Sequence, residues 1–561
     1  MENLPWFDLY PDEISHEINA DKYPSLVDVF FEVCQKYADL PAFENMGVSL
    51  TYRQLDQKSL NFAAYLQQVA GLKAGDHIAL QMPNLLQYPI ALFGALRAGL
   101  VVVNTNPLYT PREMEFQFND SEVKALVIVE NFAHKLEKIR DNISIETVIM
   151  TRIGDQLGGL KGSLVNFVIK RVKRMVPSYE YPKAVWFNDT LNKGADLIFE
   201  PINLKGEDTA FLQYTGGTTG RSKGAVLTHR NMVANLLQCR EWFIGLDSGK
   251  ESTITALPLY HIFALTVNAL LMLHIGAKNI LITNPRDMNA FLKELKKHPF
   301  SIFTGLNTLF NSLLNQDEFD KIDFKNLKIT IGGGMAVQKS VAKRWENTTG
   351  KTIVEGYGLT EASPVLSCNP LDGSGRLGTI GLPLPGTEMA IMDEEDKLIS
   401  VGERGEIVAR GPQIMKGYWK QEEETRNIFK DGWLKTGDIG VMSEDGYFTI
   451  VDRKKDMINV SGFNVFPNEV EDVIAAHPDV AEVGIVGVED DHSGEVVKAF
   501  IVRKNARLTE EDIRQYCKEN LTGYKRPKYV VFKDELPKSP VGKILRKNLR
   551  QLEERKAEKV A

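Results

Sequence analysis

Apolar positions along the chain fall into two alternating textures. Short, nearly continuous apolar runs at 77–80 and 100–104 flank a stretch, 88–98, whose apolar residues recur at helical spacing. A buried strand, a helix and a second buried strand are predicted there. The alternation returns at 328–331 and 337–345, predicting a strand followed by a helix. Helices layered on sheets follow, an α/β fold rather than an all-β or all-α one. Between 388 and 451 the texture changes to closely spaced strands with Gly turns, at 389–393, 406–410 and 447–451, and a small β-rich subdomain is expected. After Asp452-Arg453-Lys454-Lys455-Asp456 a new pattern begins. Asn468 is placed to cap a helix running to 476, two strands fall within 482–503, Thr509 caps another helix, and a last helix is expected over 544–554. The charged run is the expected boundary. It divides a large N-terminal domain, 1–452, from a hinge at 453–455 and a small α+β domain, 456–561.

Composition narrows the function classes. The 561 residues carry 67 Lys and Arg against 74 Asp and Glu, a net charge of −7, which argues against a nucleic-acid binder. Cys34, Cys239, Cys368 and Cys517 lie far apart, with no CxxC pair, so a disulfide scaffold or cysteine-rich zinc site is not expected and a reducing, cytoplasmic setting fits. The N-terminus is acidic and Pro-interrupted, unlike a signal peptide. The apolar run 262–273 falls short of the roughly 20 residues a membrane span needs, so it is expected as a buried helix or pocket wall.

Three motif matches fail on their physics. Gly373–Gly378 satisfies GxGxxG, but Asn369-Pro370 precede it and Gly381, Pro383 and Pro385 follow, leaving no strand before and no helix after. Gly350-Lys351-Thr352 resembles the end of a Walker loop, yet the position of its first glycine holds Trp345. Gly220-Arg221-Ser222-Lys223-Gly224 matches GxSxG, whose nucleophile elbow needs a helix next; 225–227 reads as a strand. A serine hydrolase using Ser222 stays as the competing class.

Read more widely, the same segment runs Tyr214-Thr215-Gly216-Gly217-Thr218-Thr219-Gly220-Arg221-Ser222-Lys223-Gly224. Its glycines let backbone N–H groups converge on an anion, its threonines add donors, and Lys223 adds a cation suited to a polyphosphate. This loop resembles the phosphate-binding loop of the adenylate-forming superfamily. Further superfamily motifs follow in order: Glu355-Gly356-Tyr357-Gly358-Leu359-Thr360-Glu361, Thr436-Gly437-Asp438, Asp452-Arg453-Lys454-Lys455 and Pro540-Val541-Gly542-Lys543. The stretch 431–462, with 104–113 and Pro258-Leu259-Tyr260-His261, is similar to the bacterial long-chain fatty acyl-CoA ligases of that superfamily over nearly the whole chain.

The resemblance implies ATP-dependent activation of a long-chain fatty acid to acyl-AMP, releasing pyrophosphate, then transfer to CoA with release of AMP. It implies a mobile C-terminal lid over the active site, hinged at Lys455, with Asn459 and Gly462 in the thioester-forming loop. Lys543, Thr218 and Glu361 are the expected catalytic residues, with Glu361 and Thr218 on Mg²⁺, a cation that favours carboxylates and phosphate oxygens. The expected nucleotide-binding set comprises 214–220, Lys223, Gly333, Gly334, 355–358 and Thr360, together with Asp438, Arg453, Lys455 and Lys543. His261 and Gly332 are expected beside the acyl pocket. Transfer to a carrier protein instead of CoA, a shorter or aryl acid, and a homodimer stay open. Finally, 161–178 carries five basic and no acidic residues, with Leu164, Val168, Val172 and Met175 on one helical face. It is expected either to touch an anionic membrane surface or to pack that face on the core.

Overall fold

The computed structural model describes residues 4–215, 222–461, 463–490, 493–539 and 542–552. Gly216, Gly217, Thr218, Thr219, Gly220 and Gly462 lie outside the described residues.

Two large sheets form the body. In the first, strands Val101–Asn104, His77–Gln81, Val123–Val129, Thr147–Thr151 and Val185–Trp186 run parallel, with Thr209–Thr215 beside the first of them. Lys223–Thr228 and Gly417–Tyr418 close that edge antiparallel. The second has nine strands, its centre again parallel: Ile353–Gly358, Ile329–Gly332, Ile302–Gly305, Ser252–Thr255 and Lys278–Leu281. Their near-continuous apolar runs are what a strand covered on both faces requires. Helix Gln87–Arg97, predicted over 88–98, is buried along its whole length. The helix foreseen at 337–345 is Lys339–Thr349, and Trp345 on it is fully buried among Phe303, Phe310 and Phe319. That tryptophan is a core residue, which disposes of the Walker reading. Residues 371–379 form turns without a helix, as the failed GxGxxG match requires.

A third sheet is antiparallel: Glu388–Met392, Arg404–Arg410, Trp433–Met442, Phe429–Lys430 and Phe448–Arg453. Beyond it, Ile458–Val460, Phe463–Val465, Val480–Asp490, Gly494–Arg503 and Tyr529–Lys533 make a fourth sheet with its own core, backed by helices Pro467–Ala475 and Glu510–Asn520. Thr509 caps the second helix through a reciprocal capping box with Asp512. Asn468 caps nothing: Pro467 takes the first helical position, and Asn468 instead donates its N–H to Asp452 and accepts from Arg546. The last helix begins two residues later than expected, at 546, because Ile544 is held in a β-bridge with Lys538.

Among the described residues no helix is long and apolar enough to cross a membrane. The run 262–273 is a buried π-helix, Ala264–Leu271, followed by Met272–His274. All four cysteines are buried and unbridged. The basic segment is a helix, Gly159–Phe167, that continues as a π-turn, Val168–Val172. Of the expected face, Leu164, Val172 and Met175 are 64, 65 and 51% exposed and Val168 is half-buried; Leu160 and Phe167 beside them are 93 and 59% exposed. The opposite face is seated through Gly162, where a Cβ would lie 2.3 Å from the Gly154 carbonyl, and through Asn166, which accepts the Gly154 N–H at 2.8 Å.

Candidate active site

A cavity of about 2670 Å³ opens where the carboxyl ends of the two parallel sheets, the third sheet and the C-terminal domain meet. Ligands of open α/β sheets bind at such ends, where the chain leaves the strands in loops free to carry chemistry. Thr215, Gly333 and Gly334, Gly358 with Thr360 and Glu361, and Asp438 reach the cavity from four different strands.

On one wall, Lys223 is buried at the head of its strand, paired with Glu424 and 5.2 Å above the Tyr418 ring. The Tyr418 hydroxyl donates to Glu361 Oε1 at 2.6 Å, so one cation and one carboxylate are held on either side of a single phenol. Ser222 Oγ donates to the Thr215 carbonyl at 2.6 Å and is followed by a strand, which suits no nucleophile elbow. Tyr214 lines the cavity, but its hydroxyl is spent on Asp120 and its ring covers Gly224.

On the opposite wall, Asp438 is buried, accepts from the Tyr357 hydroxyl at 2.6 Å and lies 3.4 Å from Arg453 Nε. Burial, then the Asp438 charge, pushes the Tyr357 phenol well up. Glu355 lines the cavity, yet its two oxygens accept the Val337 and Gly378 N–H groups at 3.1 and 2.9 Å. Its observed task is to fix two loops. Gly356 and Lys455 also reach the cavity.

From the C-terminal domain, Lys543 enters beside Gly334, where a Cβ would sit 3.3 Å from Lys543 Cε; Gly334 has φ +76°, which favours glycine. The approach is secured by Thr308 Oγ1, which donates to the Gly542 carbonyl at 3.0 Å, and by Asn311, which donates to the Ala481 carbonyl at 3.1 Å. Burial, then the Arg453 charge, lowers the Lys543 ammonium from 10.5 to about 8, against the opposing pull of Asp438 and Glu361. His261 lines the same cavity, and burial with the Lys543 charge brings it down to about 3, so it is neutral. It is a wall residue and no proton acceptor at neutral pH. Gly332, expected beside it, stands outside the cavity lining; a Cβ there would meet Val337 and Ile353 at 2.7 and 2.8 Å, so its smallness serves packing. Asn459 also lies outside the cavity, its N–H donating to Glu495.

A lysine-bearing cavity lined by Thr215, Lys223, Glu361, Asp438 and Lys543 has counterparts of known family. The profile of the AMP-binding enzyme family matches residues 30–419, and that of the AMP-binding enzyme C-terminal domain matches 469–543. The chain belongs to the AMP-binding enzyme family. Among curated members of this family, it is 57% identical to a long-chain-fatty-acid–CoA ligase of Escherichia coli O157:H7 over 97% of each chain. Identity is 36% to the long-chain-fatty-acid–CoA ligase of Bacillus subtilis (strain 168), again over 97% of each. Of solved AMP-binding enzymes, the anthranilate CoA ligase AuaEII in complex with anthranoyl-AMP superposes with a TM-score of 0.84 at 27% identity, covering 95% of this chain and 99% of that one. ATP-bound MatB from Rhodopseudomonas palustris gives 0.76 at 28% identity, covering 94% and 98%.

Sequence reasoning missed Tyr418, Glu424 and Arg546. Gly417–Tyr418 is a two-residue strand paired with Lys223–Thr228, too short to show any periodicity, and Glu424 sits in an acidic run that reads as a solvated helix start.

The depressed Lys543 value sets a pH dependence. Below about 8 the group is cationic and attracts phosphate; above it the charge is lost. Affinity for ATP, measured by calorimetry from pH 7 to 9.5, should fall as pH rises through about 8, by at most about tenfold per unit. Lys543→Arg, charged throughout, should flatten that limb; an unchanged limb in this variant would assign the titration to another group.

Proposed function

We propose that this chain is an AMP-forming long-chain-fatty-acid–CoA ligase. The observation that carries the proposal is full-length similarity to such ligases in a chain that brings a lid lysine, Lys543, into the same cavity as Asp438, Glu361 and Lys223. A carboxylate is a poor electrophile and needs a leaving group before a thiol can attack. In the first step a fatty-acid carboxylate oxygen bonds to the α-phosphorus of ATP, and the bond to the β-phosphate oxygen breaks to release pyrophosphate. Charge grows on the phosphate oxygens, where Lys543 and Lys223 supply cations and the Gly/Thr loop supplies donors. Asp438 and Arg453 take the ribose, and Tyr357, Gly333, Gly334 and Gly356 leave room for the base. His261 borders the acyl chain. In the second step the CoA sulfur bonds to the acyl carbon and AMP departs, the thiol proton passing to solvent.

Glu361 is the carboxylate suited to Mg²⁺: it is buried, lines the cavity and spends one oxygen on Tyr418. With Thr218 it would hold the ion, which supplies charge neutralisation at the phosphates. For the second step the lid turns about Lys455 and brings Asn459 and Gly462 to the site.

Lys543→Ala should cut acyl-AMP formation by orders of magnitude while sparing thiolysis of supplied acyl-AMP, and Lys455→Pro should do the reverse, because proline fixes φ at the pivot. Both half-reactions are read separately, by pyrophosphate and AMP release; loss of the same one in both variants contradicts the rotating lid. Glu361→Gln should lower adenylation by orders of magnitude with partial recovery at high Mg²⁺, and an unaltered Mg²⁺ dependence removes Glu361 from the ion site.

The exposed face of the segment Gly159–Phe167 and its π-turn supports reversible contact with an anionic membrane, where long-chain acids partition. Its exposed apolar side chains are flanked by Arg171, Lys173 and Arg174, each contributing about 1 kcal/mol at an anionic leaflet, and by Lys170, which is paired with Glu130 at 3.2 Å. Changing these four to Gln should abolish sedimentation with anionic liposomes and leave turnover of a short soluble acid intact. Unchanged sedimentation would leave the segment a surface helix alone.

A further inference from the structure

Arg546 lies three residues beyond Lys543, at the start of the last helix, with its side chain 13% exposed. Its Nε and Nη2 donate to the two oxygens of Glu471 at 3.0 and 2.7 Å, and Nη2 also reaches Asn468 Oδ1. Its Nη1 donates to Asp456 at 3.4 Å and to Asp452 at 3.1 Å. Glu471, Asn468 and Asp456 all follow Lys455 in the chain, so a lid turning about that residue carries them along with Arg546.

Asp452 is different. It is the penultimate residue of the body strand Phe448–Arg453, is fully buried, and accepts three donors: the N–H of Arg453 at 2.7 Å, the N–H of Asn468 at 2.7 Å, and Arg546. Two of the three come from beyond the pivot. Among the described residues, Arg546–Asp452 is the ion pair that joins the two sides of Lys455. Rotation would withdraw both lid donors together and leave a buried carboxylate with one backbone N–H, a strongly unfavourable state unless new partners arrive. The other contacts near Lys543, from Thr308 and Asn311, are neutral hydrogen bonds on the surface of the same approach.

We propose that Asp452 and Arg546 form a latch that holds the lid in the orientation placing Lys543 at the nucleotide, acting as positioning residues for adenylate formation. The latch must open before thioester formation. This rests on the two-step reading above and on Lys455 as the pivot. It assigns to Asp452 a bias between two lid orientations, which a residue needed only for folding would not have.

The test uses the full chain carrying Asp452→Asn, with Asp456→Asn, on the lid side of the pivot, for comparison. Asp452→Asn should slow acyl-AMP formation from palmitate and ATP by at least tenfold and leave CoA-dependent thiolysis of supplied palmitoyl-AMP within twofold or faster; Asp456→Asn should not separate the two steps. Spin labels at Lys321→Cys on the body and Lys518→Cys on the lid supply a readout that needs no substrate. The empty parent should show one narrow distance distribution, and Asp452→Asn a second, displaced population. Equal loss of both half-reactions, or an unchanged distance distribution, overturns the latch. A parent that releases no pyrophosphate with palmitate defeats the proposed function instead, and the distance measurement still decides the latch.

Discussion

A lysine ammonium held inside a cavity between two domains is the constraint on which the rest of this molecule depends. Burial, with the neighbouring Arg453 charge, lowers Lys543 from 10.5 to about 8. That lowering remains after the favourable pull of the Asp438 and Glu361 carboxylates, which hold the cation but leave it short of partners. A nucleotide phosphate arriving at such a site replaces lost water with a charge partner, and the donors are already aimed. That is electrostatic preorganisation, and it depends on the C-terminal domain placing Lys543 beside Gly334.

Each of the other site residues is restrained by a partner of its own. Lys223 is held by Glu424, Glu361 by Tyr418, Asp438 by Tyr357, and Glu355 by two backbone N–H groups. Polar groups that are buried and paired sit in one place. The large domain is thus a stiff half-site, and the C-terminal domain adds Lys543, held by the hydrogen bonds from Thr308 and Asn311, by Arg404 over the Phe466 ring and, among the described residues, by the Arg546–Asp452 ion pair.

The order of strands and helices was legible because buried parallel strands read as continuous apolar runs and covering helices keep their period; 77–80, 88–98 and 100–104 are each matched to within a residue or two. Helix starts were less so. Pro467 overrode Asn468 as the opening of its helix, and Asn468 was claimed by Asp452, a tertiary demand no local pattern carries. In the site, motif order located the residues that face the cavity, but it could not tell a ligand-facing oxygen from one already spent. Glu355 and the Tyr214 hydroxyl look free in the sequence and are bonded in the fold. Gly332 differs from Gly333 by a single position, yet it turns to Val337 and Ile353. Arg546 was invisible for the same reason: four of its acceptors lie 75 to 94 residues away.

The proposed adenylate chemistry asks for a cation, a carboxylate and an anion-binding loop at one cavity before CoA arrives, and Lys543, Asp438 and Lys223 line that cavity. The most direct measurement is exchange of labelled pyrophosphate into ATP by the full-length protein, with palmitate present and CoA absent. The account predicts rapid exchange that requires both the acid and Mg²⁺. Exchange that appears only when CoA is added, or palmitate turnover that proceeds without ATP, would contradict it.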